Sequence, residues 1–258
     1  MNLQFYIAKR YIFAKKTRNA INVISAISVI SVAIVTAALI ILLSVTNGFN
    51  TLIKSFYSNF DPDFKVTVSK GKVFSMSNDK IKKLINFKEI DYYTEVLEEN
   101  ALVEYEKKQN LAKIKGVSDD FHKTSGIDSM IINGEYKLRN ENENFAIPGW
   151  TVAYKLSVDL NVLIPLKIWV PKRNAKLGMI ANKAFNIKRI FISGVFSVNN
   201  EEYDSEYIIV PINFARELLE YKDEATAIEI KLKENIDKDV FQKKADLFLG
   251  EEFNIKNR

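Results

Sequence analysis

Residues 29–46 read VISVAIVTAALIILLSVT, inside a stretch from Asn19 to Ile53 that carries no charged side chain. Elsewhere charge is abundant, at 27% of the 258 residues. Three structures produce such a run: a cleaved signal peptide, a buried core helix or a membrane span. A core helix keeps polar residues on one face, whereas residues 21–45 hold only scattered Ser, Thr and one Asn. About 25 residues in a helix reach roughly 37 Å, more than the ~30 Å hydrocarbon core of a bilayer. A signal peptide has an apolar region of about 7–15 residues and a small-x-small cleavage site, and Asn47-Gly48-Phe49 is not such a site. The run therefore predicts an uncleaved transmembrane helix over 21–46.

The flanks orient it. Lys9, Arg10, Lys15, Lys16 and Arg18 precede the run, and Lys54 follows it. The first 60 residues contain these six bases and no acid, which leaves 31 basic against 32 acidic residues in the rest. The formal charge of +5 thus belongs to the apolar end. That is a membrane-surface pattern rather than a nucleic-acid footprint, so no nucleic acid is expected. Excess positive charge stays inside, so the N-terminus is expected in the cytoplasm and residues after about 48 outside it. Over 1–20, Phe5, Tyr6, Lys9, Arg10, Tyr11, Phe13, Lys15 and Lys16 mix aromatics with bases. This fits either an amphipathic interfacial helix or an ordinary basic flank. Ala26, Ala33, Ala37 and Ser44 share one helix face, where small side chains let a second helix approach. Phe49, Leu52, Ile53 and Phe56 keep helical spacing, predicting a stalk over 47–60 that ends at Asp61-Pro62.

From residue 64 the texture changes to short β runs and charged helices. Strands are predicted over 64–69, 91–105, 110–117, 166–170, 190–198, 206–211, 225–232 and 253–256. Helices are predicted over 78–87, 212–221 and 237–249. In the second helix Phe214, Leu218 and Tyr221 face inward with Leu219 beside them; ATAIEIKL at 225–232 alternates as a strand. The strand–helix–strand pattern is split by residues 118–197, which are richer in loops and short strands. The fold class is α+β: one membrane helix with a stalk, then an α/β part with a β-rich insertion.

Candidate chemistry is sparse. Neither G-x-x-x-x-G-K-[ST] nor G-x-G-x-x-G occurs, so no nucleotide cofactor is expected. The chain has no cysteine and a single histidine, His122, which argues against zinc, a disulfide, a cysteine nucleophile and a Ser–His–Asp triad. His122 follows Asp119-Asp120-Phe121 in an expected solvated turn. The cluster 200–204, Asn-Glu-Glu-Tyr-Asp, is expected to be a hairpin tip rather than a cation site. The chain reads as non-catalytic, with no catalytic, cofactor or metal residues. The basic, Pro-led stretch PKRNAKLGMI at 171–180 is either a protruding hairpin that grips a partner or a surface loop.

Arg10-Tyr11, Ala14-Lys15-Lys16 and VISAISVISVAIVTAALIILLSVTNGFN resemble the first membrane helix of the LolC/LolE family. IKGVSDDF at 114–121, Asn133-Gly134-Glu135, Ile147-Pro148-Gly149 and Gly194-Val195-Phe196-Ser197-Val198 with 201–204 resemble later blocks in the same order. The resemblance implies a permease subunit of a lipoprotein-releasing ABC transporter in the bacterial inner membrane. Its domain would be MacB-like and periplasmic: a Porter part at 61–117 and 198–258, split by a Sabre part at 118–197. The implied partners are a cytoplasmic ABC ATPase that hydrolyses ATP, a second permease subunit, lipoprotein cargo, a LolA-like carrier and membrane lipids. Leu43, Thr46, Phe49 and Leu52 would face the lipid-accepting cavity. Pro171, Lys172, Arg173, Lys176 and Met179 would lie in the carrier-contact loop. The chain departs from the family pattern at Ser31, Val35, Thr46, PGWTVAYKLSV and Ile164-Pro165-Leu166. The family continues into three further membrane helices, so the chain is expected to be the N-terminal portion. The alternatives are a MacB-like efflux permease, an FtsX-like regulator of cell-wall hydrolases, and a single-pass anchored binding or sensor domain.

Overall fold

The computed structural model describes residues 3–12, 20–57, 60–141, 143–173 and 184–257, with side chains except those of residues 8, 9, 11, 12, 20–22 and 50–57. The chain falls into two compact units, Met1–Ser55 and Phe56–Arg258.

The first unit begins with helix α1 (Leu3–Ile12) and holds most of α2 (Ala20–Tyr57). No proline interrupts α2 across the apolar run and the expected stalk. Its 38 residues extend about 57 Å at 1.5 Å per residue. Val23–Phe49 is long and apolar enough to cross a membrane, and none of it is covered by the chain itself. Its hydroxyls do not oppose that reading. Ser28, Thr36 and Thr46 donate to the carbonyls of Ile24, Val32 and Leu42 at 2.9, 2.8 and 2.8 Å. These three hydroxyls are satisfied inside the helix, as a hydrocarbon surrounding demands.

The second unit contains β1 (Phe64–Val68), β2 (Phe74–Ser75), α3 (Asp79–Leu84), β3 (Ile90–Tyr105), β4 (Lys108–Val117), α4 (Phe121–Ser125) and a 3-10 turn at Ile127–Met130. Then follow β5 (Ile131–Gly134), β6 (Phe145–Pro148), α5 (Trp150–Leu156), β7 (Leu166–Pro171), β8 (Phe185–Ile192), β9 (Gly194–Phe196) and α6 (Glu201–Glu206). The last elements are β10 (Tyr207–Pro211), α7 (Ile212–Leu219), β11 (Glu224–Ala225), β12 (Ala227–Leu232), α8 (Lys238–Leu249) and β13 (Phe253–Asn257). Nine strands join in the order β13-β1-β12-β3-β4-β10-β6-β8-β7, and β7 also pairs with β3.

That extra pairing organises the unit. β3 is 16 residues long and divides its partners. Its first half faces β12 from Ile90 to Val96, and Leu102, Val103 and Glu104 meet Trp169, Ile168 and Lys167 of β7. Strands β3, β4, β10, β6, β8 and β7 therefore close into a ring, while β12, β1 and β13 extend from it as an open sheet. The segment 118–197 supplies β6, β7 and β8 to this ring, so it shares the sheet with the strands on either side of it in sequence.

Period-two alternation assigns the faces. On β12, Ile228 and Ile230 pack with Phe64, Val66, Phe241 and Leu249 in a core closed by α3 and α8. Asp237 caps α8 by accepting from the amides of Asp239 (2.9 Å) and Val240 (3.2 Å). The next turns bury Phe241, Ala245 and Leu249 at a spacing of four. The ring strands pack against α5 and α7, with Phe214, Ala215, Leu218 and Leu219 of α7 turned inward. The third core lies on the other sheet face, around Phe60, Val96, Val117, Phe121, Phe196 and Ile209.

Glu229 on β12 is 2% exposed, because its face of the sheet belongs to this third core. Three expectations need correction. The expected hairpin tip at 200–204 is the start of α6, capped by Asn200, whose side chain accepts from Glu202 N at 2.9 Å. His122 lies in the first turn of α4 rather than in a loop, half-buried, with Nδ1 3.1 Å from the Asp119 carbonyl oxygen. The strand expected over 190–198 is also two strands, β8 and β9, broken at Ser193.

Candidate functional site

The residues singled out in the apolar helix are placed simply. Ala26, Ala33, Ala37 and Ser44 are exposed, as are Leu43, Thr46 and Phe49. The backbone of Leu52 continues α2, and its side chain lies outside the described residues. An apolar surface of this length, uncovered by its own chain, needs lipid or another helix around it.

The basic loop leaves the ring between β7 and β8. Pro171 pairs with Phe185, and Lys172 N donates to the Ala184 carbonyl at 2.8 Å, closing the neck of a hairpin. Arg173 turns back onto its own unit. Its guanidinium lies 4.3 Å from the Tyr221 ring centroid and 4.0 Å from Glu224. Lys176 and Met179 lie outside the described residues.

A more elaborate arrangement sits where the chain enters the second unit. Phe60 was expected in the stalk, yet it is 3% exposed and belongs to the third core. Its ring stacks on Phe196 (5.9 Å, 11°) and meets Phe121 and Tyr203 edge-on at 6.3 and 4.9 Å. Beneath these rings lies the buried Lys115 ammonium, 5.5 Å from the Phe60 centroid and 5.0 Å from that of Phe121. Lys115 donates to Glu229 Oε1 at 2.8 Å, and both side chains are almost fully buried. Glu229 Oε2 has no hydrogen-bond donor among the described residues. The residues after Phe60 are held as firmly. Tyr203 OH donates to Asp61 Oδ1 (2.7 Å), Leu232 N to Asp63 Oδ2 (2.9 Å), and Lys238 forms an ion pair with Asp63 (2.6 Å).

Nothing at 115 or 229 stands out in the sequence, because IKGV and IEIK both read as ordinary alternating strands. The available signal was that a Lys and a Glu sit one residue from fully apolar positions on two strands of one sheet. Their charges set the local electrostatics. Burial pushes the Lys115 amine down, but Glu229 and Glu98 outweigh it and hold the amine above its ordinary 10.5. Burial pushes the Glu98 carboxyl up, and Lys115 and Lys65, which lies 3.1 Å away, outweigh it and hold the carboxyl below its ordinary 4.5. A lowered carboxylate adds stability above its unfolded value and loses it as pH falls through the lowered one. A raised amine adds stability below its unfolded value and loses it as pH climbs through the raised one. Urea midpoints of the chain are therefore expected to be level through neutral pH and to fall below about pH 4. A midpoint that rises on acidification would contradict this assignment.

The blocks that carry the family resemblance converge in space for packing reasons. Gly134 faces Gly194 across β5 and β9, and at φ +76° a Cβ on it would stand 2.3 Å from the Ser193 carbonyl oxygen. A Cβ on Gly149 would stand 2.5 Å from the Asp204 carbonyl oxygen, so only glycine fits between β6 and α6. Asp204 is buried and accepts from Ser197 Oγ (2.6 Å) and Val198 N (2.9 Å), tying β9 to α6. These residues hold the third core together. Among the described residues no group of three or more His, Asp or Glu is arranged to hold a metal ion.

A ring-closed β unit flanked by helices and joined to an uncovered apolar helix defines a class of membrane-anchored domain. The sequence pattern of one such class, the MacB-like periplasmic core domain, matches residues 25–246, and the chain belongs to that family. Among curated proteins it is similar to the lipoprotein-releasing system transmembrane protein LolC of Buchnera aphidicola subsp. Schizaphis graminum (strain Sg), with 25% identity over 233 residues. The match covers 90% of this chain and 56% of that protein, so the chain spans little more than half the length of its relative. Two solved structures share the fold. The periplasmic region of MacB from Actinobacillus actinomycetemcomitans superposes with a TM-score of 0.51 at 12% identity, over 75% of this chain and 87% of that one. The extracellular domain of the noncanonic ABC-type transporter YknZ from Gram-positive bacteria gives 0.52 at 11% identity, over 75% and 99%.

Proposed function

We propose that this chain is the N-terminal part of a LolC/LolE-type ABC-transporter permease. Such a permease draws acylated lipoproteins from the inner membrane and passes them to a LolA-like periplasmic carrier. A separate ATPase drives it, and a second permease subunit works beside it. The observation that carries the permease reading is geometric. β1 follows the stalk, and its first residue, Phe64, is the register partner of Asn257 at the far end of β13. The chain thus enters the unit and reaches its last described residue on neighbouring strands at one edge of the sheet. The family pattern over residues 25–246, which includes the apolar helix, supports a permease over an anchored sensor domain. The choice of lipoprotein as cargo rests on the likeness to the LolC relative, while the shared fold with MacB and YknZ favours efflux as the second reading.

In this reading α2 crosses the inner membrane with its basic leader in the cytoplasm and the unit from Phe60 onward in the periplasm. Residues 61–117 and 198–258 form the Porter part, and 118–197 the Sabre part. Leu43, Thr46, Phe49 and Leu52 face the acyl chains, and Ala26, Ala33, Ala37 and Ser44 face a neighbouring helix. Pro171, Lys172, Arg173, Lys176 and Met179 lie in the loop that meets the carrier. Motion is mechanical: nucleotide binding on the ATPase shifts the helices, and the stalk passes the shift on. The reading frame beyond Arg258 is expected to encode three further apolar segments of about 20 residues each. The functional test is ATP-dependent release of a tagged triacylated lipoprotein from proteoliposomes holding the full-length permease, its ATPase and the carrier. Release that needs neither ATP nor the permease would overturn the reading. Replacing Lys172, Arg173 and Lys176 together by Glu is expected to abolish co-purification of the carrier, and undiminished recovery would remove the loop from the mechanism.

A further inference from the structure

The membrane helix and the second unit are parts of one covalent chain, so a pull on α2 is carried at least along that link. The first described residue past α2 is Phe60, and its surroundings are unlike a linker's. It is buried in a box of Phe121, Phe196 and Tyr203. The floor of that box is an ammonium ion, Lys115, held 5.5 Å below the ring centroid. An aromatic face over a desolvated cation is worth more than the same contact in water. Here Glu229 fixes the cation from beneath, at 2.8 Å. The box is made by four separate parts of the unit: α4, β9, α6 and the C-terminal part of β4. A displacement of Phe60 therefore moves all four together. Asp61 and Asp63 extend the same grip to Tyr203, Leu232 and Lys238. A stalk that needed only a tether has no use for a buried ring, a buried ion pair and successive side-chain anchors within four residues.

We propose that Phe60, seated on the Lys115–Glu229 pair, is the coupling pin through which movement of α2 becomes movement of the second unit. This deepens the permease reading and rests on it. Phe60 acts through the core it enters and touches no cargo, so it is a positioning residue. Its first target is α4, whose Phe121 shares the cation with it.

The test uses the full-length protein assembled with its ATPase in lipid nanodiscs, probed by hydrogen exchange with and without ATP–vanadate. In the parent, exchange in residues 20–49 and in residues 118–126 is expected to respond to the trapped nucleotide. In Phe60→Ala the response at 20–49 stays and that at 118–126 disappears. Phe60→Leu keeps apolar bulk but loses the ring face turned to Lys115, and is expected to reduce the response at 118–126 by about two-fold or more. Thermal melting of each variant separates loss of coupling from loss of fold; if Phe60→Ala does not melt cooperatively, Phe60→Leu decides. A parental response at 118–126 in the folded variant overturns the pin and leaves the permease reading standing. A parent in which residues 20–49 ignore the nucleotide overturns both.

Discussion

Lys115→Met will lower the melting temperature of the chain by roughly 6–20 °C, whereas Lys115→Met combined with Glu229→Met will restore most of the loss. The single change removes the cation and leaves a carboxylate that is 2% exposed, with one oxygen already without a donor. Stranding a buried charge costs about 3–5 kcal/mol. Each kilocalorie shifts the midpoint of a domain of this size by roughly 2–4 °C. The double change removes both charges and supplies side chains of similar length to a site ringed by Phe60 and Phe121. Replacement of a buried pair by apolar groups is often neutral or better. Thermal unfolding of the full chain in detergent, followed by near-ultraviolet circular dichroism, checks both. A single variant as stable as the parent would mean that the pair is not buried as described.

Phe64→Ala is expected to be comparably severe, at about 3–5 kcal/mol, and independent of the first pair in mechanism. Phe64 is fully buried and begins β1, between β12 and β13. Its ring meets Phe241 of α8 at 5.2 Å and 48°. Truncation opens a cavity between the open sheet and its covering helix. Phe64→Leu refills most of that volume and is expected to recover more than half of the loss, by about 2 kcal/mol. Equal midpoints for Ala, Leu and the parent would contradict the packing described for this core.

Much of this architecture is legible in local sequence, because the forces that set it are local. The apolar run needs no partner to be recognised, since its own length and lack of charge exclude water on every side. The helix over Ile212–Leu219 declares its buried face by spacing, and Asp237 marks the start of α8 by capping chemistry. What the sequence hides depends on distant pairing. Closure of the ring rests on three residue pairs between β3 and β7, some sixty residues apart, and nothing in either strand alone specifies it. Glu229 alternates as a solvent-facing residue should, and becomes buried because α4 and Phe60 arrive from elsewhere to cover that face. Phe60 continues the helical spacing of the stalk, so its departure into the third core is invisible until α6 and β9 are placed. Asp204 reads as one more acid in an acidic cluster, yet it serves as a structural acceptor for Ser197 and Val198. At the candidate site, the apolar surface was readable and the buried Lys115 cation beneath Phe60 was not.

The orientation of the chain across the membrane is tested most directly by cysteine labelling, which the absence of native cysteine makes clean. Arg10→Cys and Glu251→Cys place a thiol at an exposed position in each unit. In cells with a permeabilised outer membrane and an intact inner one, a membrane-impermeant maleimide is expected to label position 251. Position 10 should stay unlabelled until the inner membrane is opened. Labelling of position 10 with protection of position 251 would invert the topology and remove the permease assignment with it.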